Sequence, residues 1–271
     1  MEQNKVTYYR DKRLDGIEAC RVERSTHNFP SHSHDNIYTL GYMESGCCFC
    51  QGRMRKNSYL EAGEFALINP TQVHAGGPDG SPTISYRMFY IDIDLLKKIS
   101  TDSSIGKNGF PEFKKIVAKD HLLANKFDAL FEVMHNKCGL LEKESALIEA
   151  LGFLTEQYGF ENVKSFKIGK ENNAVEKAKS FLSEELDLKM PLTDVADVAG
   201  FSKYHFLRVF KKNTGISPHV FRTQQRIEYA KKLIKQGIAF SQVALETGFT
   251  DQSHFTKKFR QFTAASPGQY L

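Results

Sequence analysis

The stretch Val195-Ala196-Asp197-Val198-Ala199-Gly200-Phe201-Ser202 returns 48 residues later as Val243-Ala244-Leu245-Glu246-Thr247-Gly248-Phe249-Thr250. Beyond it the first copy carries Phe206, Phe210, Pro218 and Phe221, and the second Phe255, Phe259, Pro267 and Tyr270, now 49 residues apart. The second copy therefore gains one residue just past its turn. In each copy a short helix carrying Val-Ala runs into Gly, the residue that enters the φ > 0 region of a tight turn without a Cβ penalty. The Phe that follows is expected to be buried, and Ser202 or Thr250 to cap the next helix. Helix, left-handed turn, helix is a helix-turn-helix, whose second helix fits the major groove of duplex DNA.

Two ordinary helical hairpins would use the same Phe spacing, and charge separates the two readings. From Gly200 onward there are 12 lysines and arginines against three acids, Glu228, Glu246 and Asp251. That segment carries +9 while the whole chain carries +5, so residues 1–199 carry −4. A modest overall charge thus hides an acidic front and a strongly basic end, the footprint of a phosphate-binding domain.

The segment from about Val175 to Leu271 resembles the DNA-binding domain of the AraC/XylS family of bacterial transcription regulators. The residues that carry the resemblance are Gly200-Phe201-Ser202, Phe210-Lys211-Lys212, Gly215, Ser217-Pro218, Arg226, Ala230, Ala244, Gly248-Phe249, Ser253, Phe255, Phe259 and Pro267. The resemblance implies two helix-turn-helix units joined by a linker helix. One departure falls in the last turn, where Ala264-Ala265 stands in place of the family's Gly before the final Ser-Pro.

At 271 residues, 41% hydrophobic and 25% charged, the chain has room for two domains with separate cores. The polar start Met1-Glu2-Gln3-Asn4-Lys5 gives no signal peptide, and no apolar run approaches the roughly 18–20 residues that span a bilayer. The five cysteines fit neither a CxxC pair nor a zinc-finger spacing. Cys47, Cys48 and Cys50 read as small apolar residues on a half-buried strand, and a reducing cytoplasm is expected.

Val6-Tyr9, Ile17-Val22, Ile37-Met43, Cys47-Gln51, Phe65-Ile68 and Ser85-Ile93 are rich in β-branched or aromatic residues. Short strands of this kind predict a barrel or jelly roll. Three pieces here resemble the cupin-type ligand-binding domain of the same regulator family. They are Pro30-Ser31-His32-Ser33-His34, Tyr59-Leu60-Glu61-Ala62-Gly63-Glu64 and Ile68-Asn69-Pro70-Thr71-Gln72-Val73-His74. Catalytic cupins place a His-x-His pair, then a Glu, then a later His. His32, His34 and His74 fit, but Asn36-Ile37-Tyr38-Thr39 occupies the place of the carboxylate. Without an anionic ligand the site is weak for metal, so no metal, no cofactor and no catalysis are expected. The three histidines are either structural or polar contacts for a small-molecule effector, with Tyr38, Tyr42 and Tyr86 as stacking or hydroxyl partners.

From Pro111 the pattern turns helical. Phe127, Leu130, Phe131, Met134 and Cys138 make one stripe, and Leu147, Leu151, Leu154 and Tyr158 a second. By family analogy such helices form the interface of a homodimer. Between Phe160 and Asn173 periodicity fades, which places a linker at 163–172 between a sensor and dimerisation domain (1–162) and the DNA-binding domain (173–271). The expected fold is α+β: a cupin-like β-barrel with flanking helices, then an all-α domain of two helix-turn-helix units.

Ser202 is expected to cap a first recognition helix, Lys203 to Lys212, that turns Tyr204, His205, Arg208, Lys211 and Lys212 outward. By the family motif, Tyr204, Leu207 and Arg208 fall where bases are met. Arg pairs bidentately with guanine, whereas Leu207 offers only contact to a thymine methyl. Thr250 is expected to cap a second recognition helix, Asp251 to Gln261, with Gln252, Ser253, His254 and Lys257 facing bases. Lys211, Lys212, Lys258 and Arg260 read as phosphate contacts. Between the two lies a predicted rod from Ser217-Pro218 to Gln236. Its length of about 28 Å is commensurate with one turn of DNA, roughly 34 Å. One subunit would then read two adjacent major grooves. The sequence therefore predicts a cytoplasmic, effector-responsive regulator of transcription, an activator that engages RNA polymerase by family analogy; the alternatives are a metal-dependent cupin enzyme fused to a DNA-binding tail and a regulator whose barrel only oligomerises.

Overall fold

The structure is a computed structural model and describes residues 5–51, 57–100, 112–136, 138–160, 170–184, 186 and 190–271. It divides into two units, one formed by Met1–Asn28 and Ser33–Lys164, the other by Phe29–His32 and Ser165–Leu271. Most of the expected linker, residues 163–169, lies outside the described residues, and Lys170 already begins a helix.

The first unit is built on an antiparallel six-stranded sheet. Along the chain come β1 (Lys5–Tyr9), β2 (Ile17–Ser25), β3 (Phe29–His32, in the second unit), β4 (Ile37–Ser45), β5 (Cys47–Gln51), β6 (Asn57–Glu61), β7 (Glu64–Ile68), β8 (His74–Pro78) and β9 (Ile84–Asp92). Helix α1 (Ile93–Ile99) and the short strands β10 (Glu112–Phe113) and β11 (Val117–Lys119) follow, then α2 (His121–His135), α3 (Leu140–Tyr158) and β12 (Gly159–Phe160). The large sheet runs β1-β2-β9-β4-β7-β11, and β5 pairs with both β6 and β8 in another.

Successive strand residues point to opposite faces. The large sheet uses this to serve two environments. Ile17, Ala19, Tyr38, Leu40, Phe65, Leu67, Phe89 and Ile91 form one core with Leu123, Phe127, Leu130 and Phe131 of α2 and Leu147, Leu151 and Leu154 of α3. Phe127 is the centre of that contact, its ring 4.9 Å from Phe89 and 5.8 Å from Phe65. Each such side chain contributes roughly 1.5–3 kcal/mol by leaving water. The Asp120 side chain caps α2 by accepting from the backbone N–H groups of Leu122 and Leu123. It also accepts from the Tyr158 hydroxyl at 2.9 Å, tying the start of α2 to the end of α3.

Several expectations need correction. Pro111, where helix is expected to begin, lies outside the described residues, and the residues after it form β10 and β11 before α2, with β10 paired to β12 across nearly the whole helical segment. Ile93 opens α1 instead of ending a strand, because the Asp92 side chain accepts from the Asp94 N–H and caps a helix there. Cys138 lies beyond the end of α2, which stops at His135. The unforeseen β8 has the sequence His-Ala-Gly-Gly-Pro. It is a strand because Cys48, Phe49 and Cys50 pair with it, a partnership local propensity does not encode.

The second unit contains α4 (Lys170–Ser183), α5 (Leu192–Val198), α6 (Lys203–Thr214), α7 (Pro218–Lys235), α8 (Phe240–Glu246), α9 (Gln252–Thr263) and α10 (Pro267–Tyr270). The sequence repeat is a structural repeat down to single bonds. The N–H groups of Gly200 and Phe201 donate to Asp197 and Ala196, and those of Gly248 and Phe249 to Leu245 and Ala244. Both glycines are left-handed, at φ +70° and +71°. At the far ends of α6 and α9 the Thr214 hydroxyl donates to the Phe210 carbonyl and the Thr263 hydroxyl to the Phe259 carbonyl. Helix α7 starts on Ser217-Pro218 and ends just before Gly237, as the sequence predicts, and its 18 residues span about 27 Å.

The departure at Ala264-Ala265 does not disturb the last turn. Ala264 takes the left-handed conformation, φ +60°, at the C-cap of α9, where Gly215 has φ +76° at the C-cap of α6. Ser266 then caps α10 with a complete capping box to Gln269. Forcing Ala into this region costs about 1–2 kcal/mol, while Gly gives back about 0.5–1 kcal/mol through the unfolded chain. Ala264→Gly is therefore expected to stabilise the helical unit by about 0.5–1 kcal/mol. Urea unfolding followed by circular dichroism checks this, with Gly215→Ala expected to move the other way.

Candidate nucleic-acid interface and effector domain

Ser202 caps α6, its hydroxyl accepting from the His205 N–H at 3.4 Å. The sequence predicts Thr250 as the cap of α9, but the cap is Asp251, whose carboxylate accepts from the His254 N–H at 2.7 Å. The extra residue of the second copy falls here. It moves capping one position on, which is why the offset changes from 48 to 49. Helix α6 also runs to Thr214 and α9 to Thr263, each two residues past the expected end.

With that offset, Lys203, Leu207, Arg208 and Lys211 on α6 correspond to Gln252, Thr256, Lys257 and Arg260 on α9. All are exposed except Thr256, which is half-buried. Phe206, Val209 and Phe210 on α6, with Phe255 and Phe259 on α9, form the buried faces. Lys212 and Ser253 are exposed, and Lys258 is half-buried with its ammonium on the Gln261 side chain at 3.1 Å.

His205 and His254 are placed outward by the sequence, yet each is half-buried and leans on its own turn. The His205 ring meets Phe201 edge-on at 4.6 Å, and the His254 ring meets Phe249 at 5.4 Å. Their Nδ1 atoms lie 3.4 Å from an Arg208 guanidinium nitrogen and 3.3 Å from the Thr250 hydroxyl. Not every cation counted toward the basic surface belongs to it. Arg222 is buried and donates to the Leu182 carbonyl. Arg226 donates to the Leu186 carbonyl at 2.8 Å and lies 5.8 Å from the Phe249 ring centre. Lys231 pairs with Glu228 at 2.8 Å.

In the first unit the predicted ligand residues separate by face. Tyr38 and Tyr42 lie on the face of β4 turned to the helices, Tyr38 against Phe113 at 5.4 Å and Tyr42 against Phe65 at 4.7 Å. Burial pushes the Tyr38 phenol up. Tyr86 sits opposite Met43 and Val22 in the ladder, and so on the other face. Counting by two along β4 and crossing the ladder from Met43 to Tyr86 on β9 separates the tyrosines, which a list of residue types cannot do.

His34 and His74 belong to the first unit, their ring centres 5.5 Å apart. His34 lies past the end of β3, so strand alternation does not orient it with His32. His32 closes β3 and is buried, with Nδ1 2.8 Å from the Pro30 carbonyl. His74 Nδ1 lies 3.0 Å from the Gln72 carbonyl, and since a carbonyl only accepts, that nitrogen carries the proton. The thiols are unreactive in character: burial pushes Cys20 and Cys48 up to about 12 and Cys50 to about 11.

Residues 16–151 match the model of the AraC-like ligand binding domain, and residues 176–271 that of a helix-turn-helix domain. Over 240 residues the chain is 31% identical to YbfI, an HTH-type transcriptional regulator of Bacillus subtilis, covering 88% of this chain and 85% of that protein. The activator Btr of the same species is 35% identical over 87 residues, which is 32% of this chain and 16% of Btr. A structure of ToxT from Vibrio cholerae with an unsaturated fatty acid bound shares the fold. Its TM-score is 0.59 at 17% identity, covering 100% of this chain and 96% of that one. The chain belongs to the AraC family. It is a transcriptional regulator with a helix-turn-helix DNA-binding domain and a ligand-binding domain.

In this AraC-family regulator the sequence reading passed over Thr256. The internal repeat could have found it, because shifting by 49 places it on Leu207. It also passed over Thr39 and Tyr90, which share a sheet face with Tyr86.

Burial lowers His74 to about 4, from an ordinary 6.5. The folded state therefore refuses a proton that the unfolded chain takes up. The resulting stability is complete above pH 6.5 and is lost as pH falls toward 4, by up to about 3 kcal/mol. Urea unfolding of the full chain at pH 7 and pH 4.5 checks this. His74→Asn, which keeps a donor for Gln72, is expected to flatten the difference.

Proposed function

We propose that this regulator reads two adjacent major grooves per subunit with α6 and α9, and that an effector in its ligand-binding domain controls transcription, as activation, in the cytoplasm. The observation that carries the reading is the equivalence of the two exposed helix faces, one built on Lys203, Leu207, Arg208 and Lys211, the other on Gln252, Thr256, Lys257 and Arg260. Arg208 and Gln252 suit guanine and adenine edges, and Leu207, Ser253, Thr256 and Lys257 complete the base-facing set; the sequence adds Tyr204, whose side chain lies outside those described. Ser202, Lys203, Lys211, Lys212, Thr250, Lys258 and Arg260 hold phosphate. His205 and His254 fix the turns beneath these faces. Contact with RNA polymerase is carried over from the family.

Arg208→Ala is expected to weaken cognate DNA binding by about 1–3 kcal/mol and to relax preference at one base position. Lys212→Ala is expected to weaken all sequences alike and reduce the salt slope by about one unit. Fluorescence anisotropy on a set of single-base operator variants at several salt concentrations separates the two. Equal specificity profiles would remove the base-reading role of Arg208.

A homodimer is supported by α2 and α3. Leu122, Leu141 and Ile148 are 60%, 79% and 56% exposed. Beside them lies a groove of about 340 Å³ that includes Ala129, Val133, Ser145 and Ala146 in its walls. Apolar side chains this exposed are expected to be covered by a partner. Leu141→Glu with Ile148→Glu is expected to yield monomers in light scattering and to lower operator affinity at least tenfold through lost avidity. A dimer unchanged by this pair would place the interface elsewhere.

A further inference from the structure

The two helix-turn-helix copies carry a histidine at the same place and use it differently. In each, the backbone N–H of that histidine donates to the cap of the reading helix, His205 to the Ser202 hydroxyl and His254 to the Asp251 carboxylate. In each, the ring lies edge-on against the phenylalanine of its own turn, Phe201 or Phe249. Backbone and ring are thus anchored before any partner of Nδ1 is considered. In the second copy that partner is the Thr250 hydroxyl, at 3.3 Å. In the first it is a guanidinium nitrogen of Arg208, at 3.4 Å.

Helix geometry produces the Arg208 contact. Residues three apart share a face, and helical side chains lean toward the N-terminus, so the arginine is laid back over position 205. A guanidinium only donates, so His205 Nδ1 presents its lone pair to it. A guanidinium also has more N–H donors than a guanine edge accepts. The one given to His205 leaves a parallel pair for guanine O6 and N7. Orientation matters here, because a bidentate contact needs the guanidinium plane aligned with the base edge, whereas a lysine ammonium is a point charge. The repeat follows this difference. Arg208 corresponds to Lys257, and the copy whose reader is planar is the one whose histidine turns to that reader. Ordering a long side chain before DNA arrives removes part of the entropy lost on binding.

We propose that His205 is a positioning residue for DNA reading: its ring, seated on Phe201, holds the Arg208 guanidinium in the orientation that pairs with a guanine edge. The proposal deepens the reading of Arg208 as a base contact and rests on it.

The test uses the full-length protein and a duplex that the wild type selects from a random pool, with every single-base variant of that duplex. Fluorescence anisotropy gives the selectivity at each position, and Arg208→Ala identifies the position that Arg208 reads. His205→Phe keeps a ring on Phe201 and removes the acceptor, and His205→Leu repeats the removal with a smaller apolar group in case the first variant folds poorly. His205→Asn keeps an acceptor near the place of Nδ1 and gives up the ring. His205→Phe is expected to lower selectivity at the Arg208 position by about two- to tenfold. It is expected to leave other positions and random-duplex affinity unchanged, and to add nothing in the Arg208→Ala background. His205→Asn is expected to retain more of the selectivity than either apolar variant. The opposite order, with Phe and Leu retaining selectivity and Asn losing it, would show that the ring acts through packing alone and would overturn the proposal. A loss spread over all positions and random DNA, or an equal loss produced by His254→Leu, also counts against it. If Arg208→Ala flattens no position, the base-reading role of Arg208 fails and the brace fails with it. If it flattens one position that His205→Phe leaves sharp, the base reading stands and the brace alone is removed.

Discussion

Each reading helix is positioned by a run of three aromatic rings that cannot be exposed without cost. Phe206 meets Phe210 at 5.4 Å and Phe210 meets Phe221 at 5.8 Å. Phe255, Phe259 and Tyr270 repeat the run at 5.6 and 5.4 Å. Burying these rings fixes the roll of α6 and α9 about their own axes, and the roll decides which side chains are exposed. The left-handed glycine before each helix and the left-handed residue after it keep the chain inside the turn while the rings are buried. The same constraint explains the diversion of several cations. Arg222 and Arg226 tie the Leu182 and Leu186 carbonyls to α7, so total charge overstates the basic surface.

In the first unit the governing constraint is strand parity. Tyr38, Leu40 and Tyr42 stand on one side of β4, Thr39 and Met43 on the other. One side completes an aromatic core with two helices. The other collects hydroxyls and thiols that stay neutral because they are buried. The two faces of one sheet therefore present different chemistry.

Much of the DNA-binding unit was legible because its signals are local. A Ser-Pro start, a Gly just past an end and Phe at helical spacing each act within one turn, and α7 appears with the ends they imply. The exchange of Thr250 for Asp251 as cap was less visible, since Thr and Asp both serve as caps and only the closed helix shows which side chain reaches the free N–H. Ala264 was harder still. Its left-handed backbone goes against the preference of the residue, and it is imposed by the aromatic run and the Ser266 cap on either side.

The sequence by itself determined the double helix-turn-helix, its linker rod, the concentration of charge at one end and the β-rich character of the other. Short-range periodicity and capping are written residue by residue. Only the tertiary structure decided that His-Ala-Gly-Gly-Pro would be a strand, that two short strands precede α2, and that Tyr86 parts company with Tyr38 and Tyr42. These outcomes depend on which distant segment pairs with which, and in what register. A shift of one residue in that register reverses the face of every side chain on a strand.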